Sequence, residues 1–421
     1  MGRTDGFVVE LSFFNSMNET KVFQNDLINA TAGTPNIAKK GSLLLRLIRA
    51  AQPITRTEIA NRLDIDKSTV TENVKPLISA GILREETLEV SGQGRKPRVL
   101  SFVDDNDYFI GVNLGVRTSQ VGMTTLKGEI SDEDDFTTPP EAQDALKMVR
   151  ERIDKLIKAN SDRICRVIGV SVPGLADAGR RKLVYAPNLD WRDIDVTAAL
   201  QPNENVKVVV ENDSTAAAMY EARLKIRESS DGLMTNFVLV RSGTGIGVGL
   251  VIGSEVYRGS GLGRGVAGEF GHMTIVAGGR QCVCGNRGCW ERYASAASAA
   301  SLYTGDRPLR PSESMPRFVE IVAKAENGEI RAQRTLEKIG DYLGIGIANV
   351  IMGVGIPRVI ISGRLVYGWK FIEKPLREAI ERSIIGKTEG WSIEAGEPQG
   401  AAIGGALEVA VEEYLSHGLS F

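Results

Sequence analysis

The chain has 421 residues, 42% of them hydrophobic and 25% charged, with a net charge of −2. That is an ordinary globular composition of two or three domains, and it excludes a disordered or collagen-like chain. No run approaches the ~20 apolar residues of a membrane helix. The N-terminal stretch MGRTDGFVVELSFFNSMNET lacks the basic start and clean apolar core of a signal peptide. Charge is uneven along the chain. Residues 36–103 carry twelve Lys and Arg against seven Asp and Glu, a net +5, which leaves −7 on the remainder and implies a nucleic-acid module on an acidic body.

Residues 1–34 show no sustained period and are read as an N-terminal arm without an assigned role. Residues 35–103 are expected to form a winged helix-turn-helix DNA-binding domain. Leu43, Leu44, Leu45, Leu47 and Ile48 predict a first helix. Thr55 stands three residues before Glu58, a capping box opening a second helix, TEIANRL. After the turn Asp64-Ile65-Asp66, Asp66 is placed to cap a third helix that begins KSTVTENV. That helix would present Lys67, Ser68, Thr69, Thr71, Glu72 and Asn73 to bases and phosphates, and Pro76 should kink or shorten it. The runs ILREETLEV and RVLSFV around the turn SGQGRKP predict a hairpin wing with Arg95 and Lys96 at its tip. A three-helix interaction domain with a solvated basic loop is the competing reading.

Beyond the polar linker at residues 104–107 the pattern is α/β. Strands are expected at YFIGVNLGV, SQVGMTTL, VIGVSVP, VKVVVEND, at both halves of NFVLVRSGTGIGVGLVIGSEVYRG, and at PRVIISG, with helices between them. The lone Cys165 lies in an apolar run and reads as a small core residue.

The most informative stretch is GEFGHMTIVAGGRQCVCGNRGCWE, from Gly268 to Glu291. His272, Cys282, Cys284 and Cys289 offer four N and S donors, the number that Zn²⁺ takes at a closed tetrahedral site. Gly285 and Gly288 supply the backbone freedom that a tight metal loop needs. With three cysteines so placed, a disulfide framework is disfavoured and a reducing cytoplasm expected.

These pieces in this order resemble the ROK family of repressors and sugar kinases, and within it the winged-helix, sugar-responsive regulators. The most specific match is GEFGH with CVCGNRGCWE, and the resemblance covers residue 36 to about 415. It implies a two-lobed actin-like, ribonuclease-H-like fold, with lobe 1 at residues 107–215 plus 395–421 and lobe 2, carrying the zinc motif, at 216–394. It also implies His272, Cys282, Cys284 and Cys289 as ligands of a structural zinc. A monosaccharide in the interlobe cleft would be held by Glu269, His272 and Glu291, faced by Asn212 and Asp213, with Gly174 and Asn188 as looser matches. Asn212 and Asp213 could instead simply cap the helix that follows them.

The family's kinases open with an Asp-x-Gly-Gly-Thr turn that cradles phosphate. Here the matching residues are Asn113, Gly115, Val116 and Arg117, so a carboxylate has become an amide, a glycine a β-branched residue and a small hydroxyl a long cation. The turn Gly243-Thr244-Gly245 survives, and Ser362-Gly363-Arg364 replaces paired glycines. Phosphoryl transfer depends on positioning and electrostatics, so a damaged cradle predicts a receptor and not an enzyme. Asp213 would be the base if the chain were a kinase. The expectation is a cytoplasmic regulator of carbohydrate metabolism, a homodimer or homotetramer on a palindromic operator. The alternatives are an active ATP-dependent sugar kinase and a regulator whose cleft docks a protein partner.

Overall fold

A computed structural model describes residues 37–88, 96–103, 106–228, 236–259, 266–305, 315–398 and 401–418. The N-terminal arm and Arg95 at the wing tip lie outside these residues. The chain forms two compact units, Met1–Leu43 and Leu44–Phe421, and the described part of the first is the opening of the helix α1 (Ile37–Ala51).

A short strand β1 (Ile54–Thr55) leads into α2 (Arg56–Leu63). The expected capping box is formed: Glu58 N–H donates to Thr55 Oγ1 at 3.1 Å, and Thr55 N–H donates to the Glu58 carboxylate at 3.0 Å. Asp64, with φ 50°, ends α2 and turns the chain into α3 (Lys67–Ser79), whose Val70, Val74 and Leu77 are buried at helical spacing. One local expectation fails here: Asp66 occupies the N-cap position without a side-chain hydrogen bond. Helix α3 carries Pro76 in its last turn and runs on to Ser79. Pro76 is exposed, so the helix forgoes one hydrogen bond near its end without terminating. Strands β2 (Leu83–Thr87) and β3 (Arg98–Phe102) pair antiparallel and β1 adds to β3, which is the winged arrangement.

The first lobe is built on β4 (Asp107–Asn113), β5 (Thr118–Thr124), β6 (Ile130–Thr137), helix α4 (Ala142–Ala159) and β7 (Ile164–Val172). A small sheet β8 (Leu175–Ala176), β9 (Leu183–Ala186) and β10 (Trp191–Ile194), then α5 (Val196–Leu200), lead to β11 (Lys207–Asn212). Helix α6 (Asp213–Glu228) leads into the second lobe: β12 (Phe237–Ser242), β13 (Ile246–Ile252), β14 (Glu255–Val256), α7 (Glu291–Ala294), α8 (Ser298–Thr304), α9 (Phe318–Glu326), α10 (Ile330–Val354), β15 (Arg358–Gly363), α11 (Trp369–Glu381) and β16 (Ser392–Ala395). The last helix, α12 (Ala401–Glu413), returns to pack on β4 and β7.

The two large sheets, β6-β5-β4-β7-β11 and β14-β13-β12-β15-β16, have one topology: three antiparallel strands, then two parallel ones. This duplication is the two-lobed actin-like fold. Helices α6 and α12 lie against each other between the sheets. A Cβ at Gly405 would meet the carbonyl carbon of Ala216 at 2.7 Å, so glycine permits the approach. Register places the ends of β4, β7 and β11 together, with Asn113 opposite Ser171 and Asn212 opposite Val172. Ligand sites in open α/β sheets lie at such carboxyl ends.

The winged helix is fused to the first lobe. One hydrophobic cluster runs from Leu47, Ile48 and Ile59 to Phe109, Leu126, Val409 and Leu415. Polar bonds frame it: Arg46 Nε donates to Glu412 at 2.9 Å, Gln52 Nε2 to Leu126 O at 2.9 Å, and Arg62 Nη1 to Ile226 O at 3.0 Å.

Candidate functional site

The cysteine-rich loop folds as its glycines require. Gly285 (φ 93°) and Gly288 (φ 79°) adopt the left-handed conformation that lets the loop turn between the cysteines. The four predicted donors converge: one ligand atom from each of His272, Cys282, Cys284 and Cys289 lies within 4.8 Å of every other. Cys282 Sγ is 3.6 Å from His272 Nδ1, and the Cys284 and Cys289 sulfurs are 3.7 Å apart. A tetrahedron with metal–sulfur bonds of ~2.3 Å has edges of about 3.8 Å, so the set fits a metal ion. Burial pushes the Cys282 thiol up, and its hydrogen bond to Glu291 adds to that against the backbone N–H of Cys284. A cation among the sulfurs would reverse that bias. Trp290, fully buried, anchors the loop: its Nε1 donates to Tyr342 O at 2.9 Å, and Gly346 leaves room for its indole ring.

His272 ends the short turn Glu269–His272, with Nε2 3.8 Å from Glu269 and Nδ1 3.7 Å from Glu291. These residues form one wall of a cleft of about 470 Å³. All seven residues expected around a sugar line it: Gly174, Asn188, Asn212, Asp213, Glu269, His272 and Glu291. Burial, then the charges of Asp213 and Glu291, push the Glu269 carboxyl up to about 7. Gly245 lies against the same carboxylate: a Cβ there would crowd Glu291 Oε2, and that side-chain end would have to shift.

Asn212 turns out to be largely occupied. Its Oδ1 accepts from the backbone N–H groups of Ser214 (2.9 Å) and Thr215 (3.1 Å), and its Nδ2 donates to Gly174 O at 3.0 Å. It caps α6, as one of the two sequence readings had it, and fixes the Gly174 loop while lining the cleft.

The other part of the cleft is lined by Asn113, Gly115, Val116, Arg117, Gly243, Thr244, Gly363 and Arg364. Asn113 is nearly buried, accepting from Ser171 Oγ at 3.0 Å and donating to Gln120 at 3.3 Å. Sequence reasoning missed Arg241, at the end of β12. Its Nη1 donates to Asp213 Oδ2 at 2.7 Å, and Ser214 Oγ donates to Asp213 Oδ1 at 3.1 Å. A cation at the end of the apolar strand NFVLVRS was the available signal, but its partner lies 28 residues away.

On α3, Lys67, Ser68 and Thr71 are exposed, while Thr69 and Asn73 are half-buried. Thr71 Oγ1 donates to Lys67 O at 2.8 Å and Asn73 Nδ2 to Thr69 O at 2.7 Å, so these two donors are returned to their own helix. Lys96 is exposed at the start of the returning wing strand.

Residues 109–413 match the family described as the ROK family, and residues 42–86 match a helix-turn-helix domain. The chain is 32% identical over 348 residues to a xylose repressor of Bacillus subtilis (strain 168), covering 81% of this chain and 86% of that one. It is 27% identical over 368 residues to the DNA-binding transcriptional dual regulator NagC of Escherichia coli (strain K12), covering 84% and 87%. Its fold matches the crystal structure of a ROK family transcriptional regulator, a homolog of the E. coli MLC protein, with a TM-score of 0.71 and 23% identity over 91% of this chain and 97% of that one. With the duplicated sheet, the donor cluster and the fused winged helix in place, this chain belongs to the ROK family and carries a helix-turn-helix domain ahead of its two lobes.

Proposed function

We propose that this chain is a sugar-responsive DNA-binding transcriptional repressor of carbohydrate-metabolism genes. The observation that supports the reading is one compact body in which a winged helix is packed onto a lobe whose cleft is lined by the residues expected to face a sugar, while the first phosphate turn is altered at Asn113, Val116 and Arg117. Glu269, His272, Glu291 and Asp213 would pair with sugar hydroxyls, and Asn188 and the Gly174 backbone would complete the wall. Lys67, Ser68, Thr69, Thr71 and Asn73, with Arg95 and Lys96 of the wing, would contact DNA.

The donor cluster suits zinc, held by His272 Nδ1 and the sulfurs of Cys282, Cys284 and Cys289. A bound zinc supplies a rigid knot; the loop residues then fix Glu291 and the imidazole against the cleft. The repressor is assigned to the cytoplasm, where thiols stay reduced, acting as a homodimer or homotetramer on a palindromic operator. No helix among the described residues is long and apolar enough to cross a membrane.

The chain is proposed as a receptor, not a kinase. The cradle is altered at Asn113, Val116 and Arg117, and one oxygen of Asp213, the residue that would accept a hydroxyl proton, already accepts from Arg241. A sugar acts on DNA binding only by favouring one arrangement of the molecule, with a coupling of ~1–3 kcal/mol. Calorimetry with a panel of monosaccharides, followed by operator footprinting with and without the best binder, tests the proposal. Operator occupancy that no sugar alters would overturn it, and sugar-dependent ADP release at enzyme-like rates would replace it with the kinase reading.

A further inference from the structure

The buried face of α3 dictates what its other face offers. Val70, Val74 and Leu77 join Leu44, Ile48 and Ile59 in one hydrophobic cluster. Helical spacing then puts Ser68, Thr71, Glu72 and Lys75 on the opposite side, where all four are exposed. Thr71 returns its donor to Lys67 O at 2.8 Å. The side chains of Ser68, Glu72 and Lys75 make no hydrogen bond or ion pair among the described residues. Glu72 is the one acid of the helix. Other acids of the winged helix are taken up. Glu58 accepts from Thr55 N–H at 3.0 Å, Glu85 pairs with Arg56 and Arg98 at 3.0 Å each, and Glu86 pairs with Arg84 at 3.1 Å.

A free carboxylate on a face turned to DNA is repelled by the phosphates of every sequence unless a base gives it a hydrogen bond. A carboxylate can only accept. In the major groove the donors are the exocyclic amines of cytosine and adenine, while guanine N7 and O6 and thymine O4 are acceptors that repel it. Adenine N6 lies beside the acceptor N7, whereas the ring position next to cytosine N4 is a C–H. Cytosine is therefore the base that an unpaired carboxylate favours. Glu72 lies in the second turn of α3, within the N-terminal part of a recognition helix that reaches base edges.

We propose that Glu72 is a specificity-determining residue, its carboxylate accepting from the N4 amine of one cytosine in each operator half-site. This rests on the DNA-binding repressor reading above and names the base that one side chain reads.

The test is selection of binding sites from a random duplex library by the full chain as wild type, Glu72→Ala and Glu72→Gln. Titrations of the winning site and its single-base-pair variants follow. Glu72 is exposed, so both variants are expected to keep the wild-type thermal unfolding. The wild type should require a C·G pair at one position of each half-site, with about a tenfold or larger loss on replacing it. Glu72→Ala should lose the preference at that pair alone. Glu72→Gln should move it toward A·T, because an amide presents both a donor and an acceptor to adenine N7 and N6. Identical preferences in wild type and Glu72→Ala at every position would overturn the proposal. So would a gain in affinity by Glu72→Ala that is equal for all sequences, since Glu72 would then act only by repulsion. Both outcomes leave the repressor reading standing. A wild type that enriches no motif at all would remove that reading as well.

Discussion

Arg49 of the winged helix and Glu408 of the last helix form a buried ion pair, with side chains only 4% and 8% exposed. Arg49 Nη2 donates to Glu408 Oε1 at 2.9 Å, and Arg223 Nη1 reaches the same oxygen at 2.7 Å. Arg223 lies on α6, the helix that begins at Asp213 in the cleft and whose Ile226 carbonyl accepts from Arg62 of the winged helix. A single helix therefore reaches from the cleft, at Asp213, to the winged helix, at Arg62. Glu408→Gln should leave two buried guanidiniums without their counter-charge and destabilise the fold by about 3–5 kcal/mol in urea unfolding. If it remains folded, sugar binding should persist while the sugar-induced change in operator affinity shrinks. Unaltered coupling would exclude this route.

Stability should depend on pH in two opposite senses. Burial opposes ionisation of Glu408, but Arg49 and Arg223 outweigh it and hold its carboxyl below the usual range. Its contribution is present at neutral pH and lost as pH falls through that lowered value. Glu221 is pushed up to about 7, first by burial and then by Glu397 and Glu228, against Lys225 and the Glu397 backbone N–H. Its folded-state value exceeds its unfolded one, so its contribution is present in acid and disappears as pH rises through about 7. Between pH ~5 and ~8 the wild type should lose stability relative to Glu221→Gln, which keeps a neutral side chain throughout. Parallel curves in denaturant titrations across that range would contradict the assignment.

Metal content gives a third check. Elemental analysis should find one zinc per chain, and Cys284→Ser should abolish it. Because Glu291 follows the donor loop directly, removing the metal should weaken sugar binding by about 10–100-fold. An apo protein with unchanged ligand affinity would confine the metal to fold stability.

Lys67 opens α3 with its side chain exposed. Lys67→Ala should lower affinity for all DNA sequences alike and reduce the slope of log K against log salt by about one. A change confined to the cognate operator would instead make Lys67 a base-reading residue.

The amino-acid sequence by itself determined the features that live within a few turns of chain. The Thr55–Glu58 cap, the buried face of α3 and the four metal donors between His272 and Cys289 are legible because backbone geometry fixes contacts at such spacings. The family follows from the same motifs. Even locally there was a failure: Asp66 caps nothing with its side chain. The helix accommodates Pro76 near its end, where packing of Val70, Val74 and Leu77 outweighs one hydrogen bond. Tertiary structure alone decided what meets across long separations. Arg49 finds Glu408 359 residues away, and Arg241 finds Asp213 across the gap between lobes. No periodicity encodes such pairs; they depend on which strands become neighbours when the duplicated sheets close on α6 and α12.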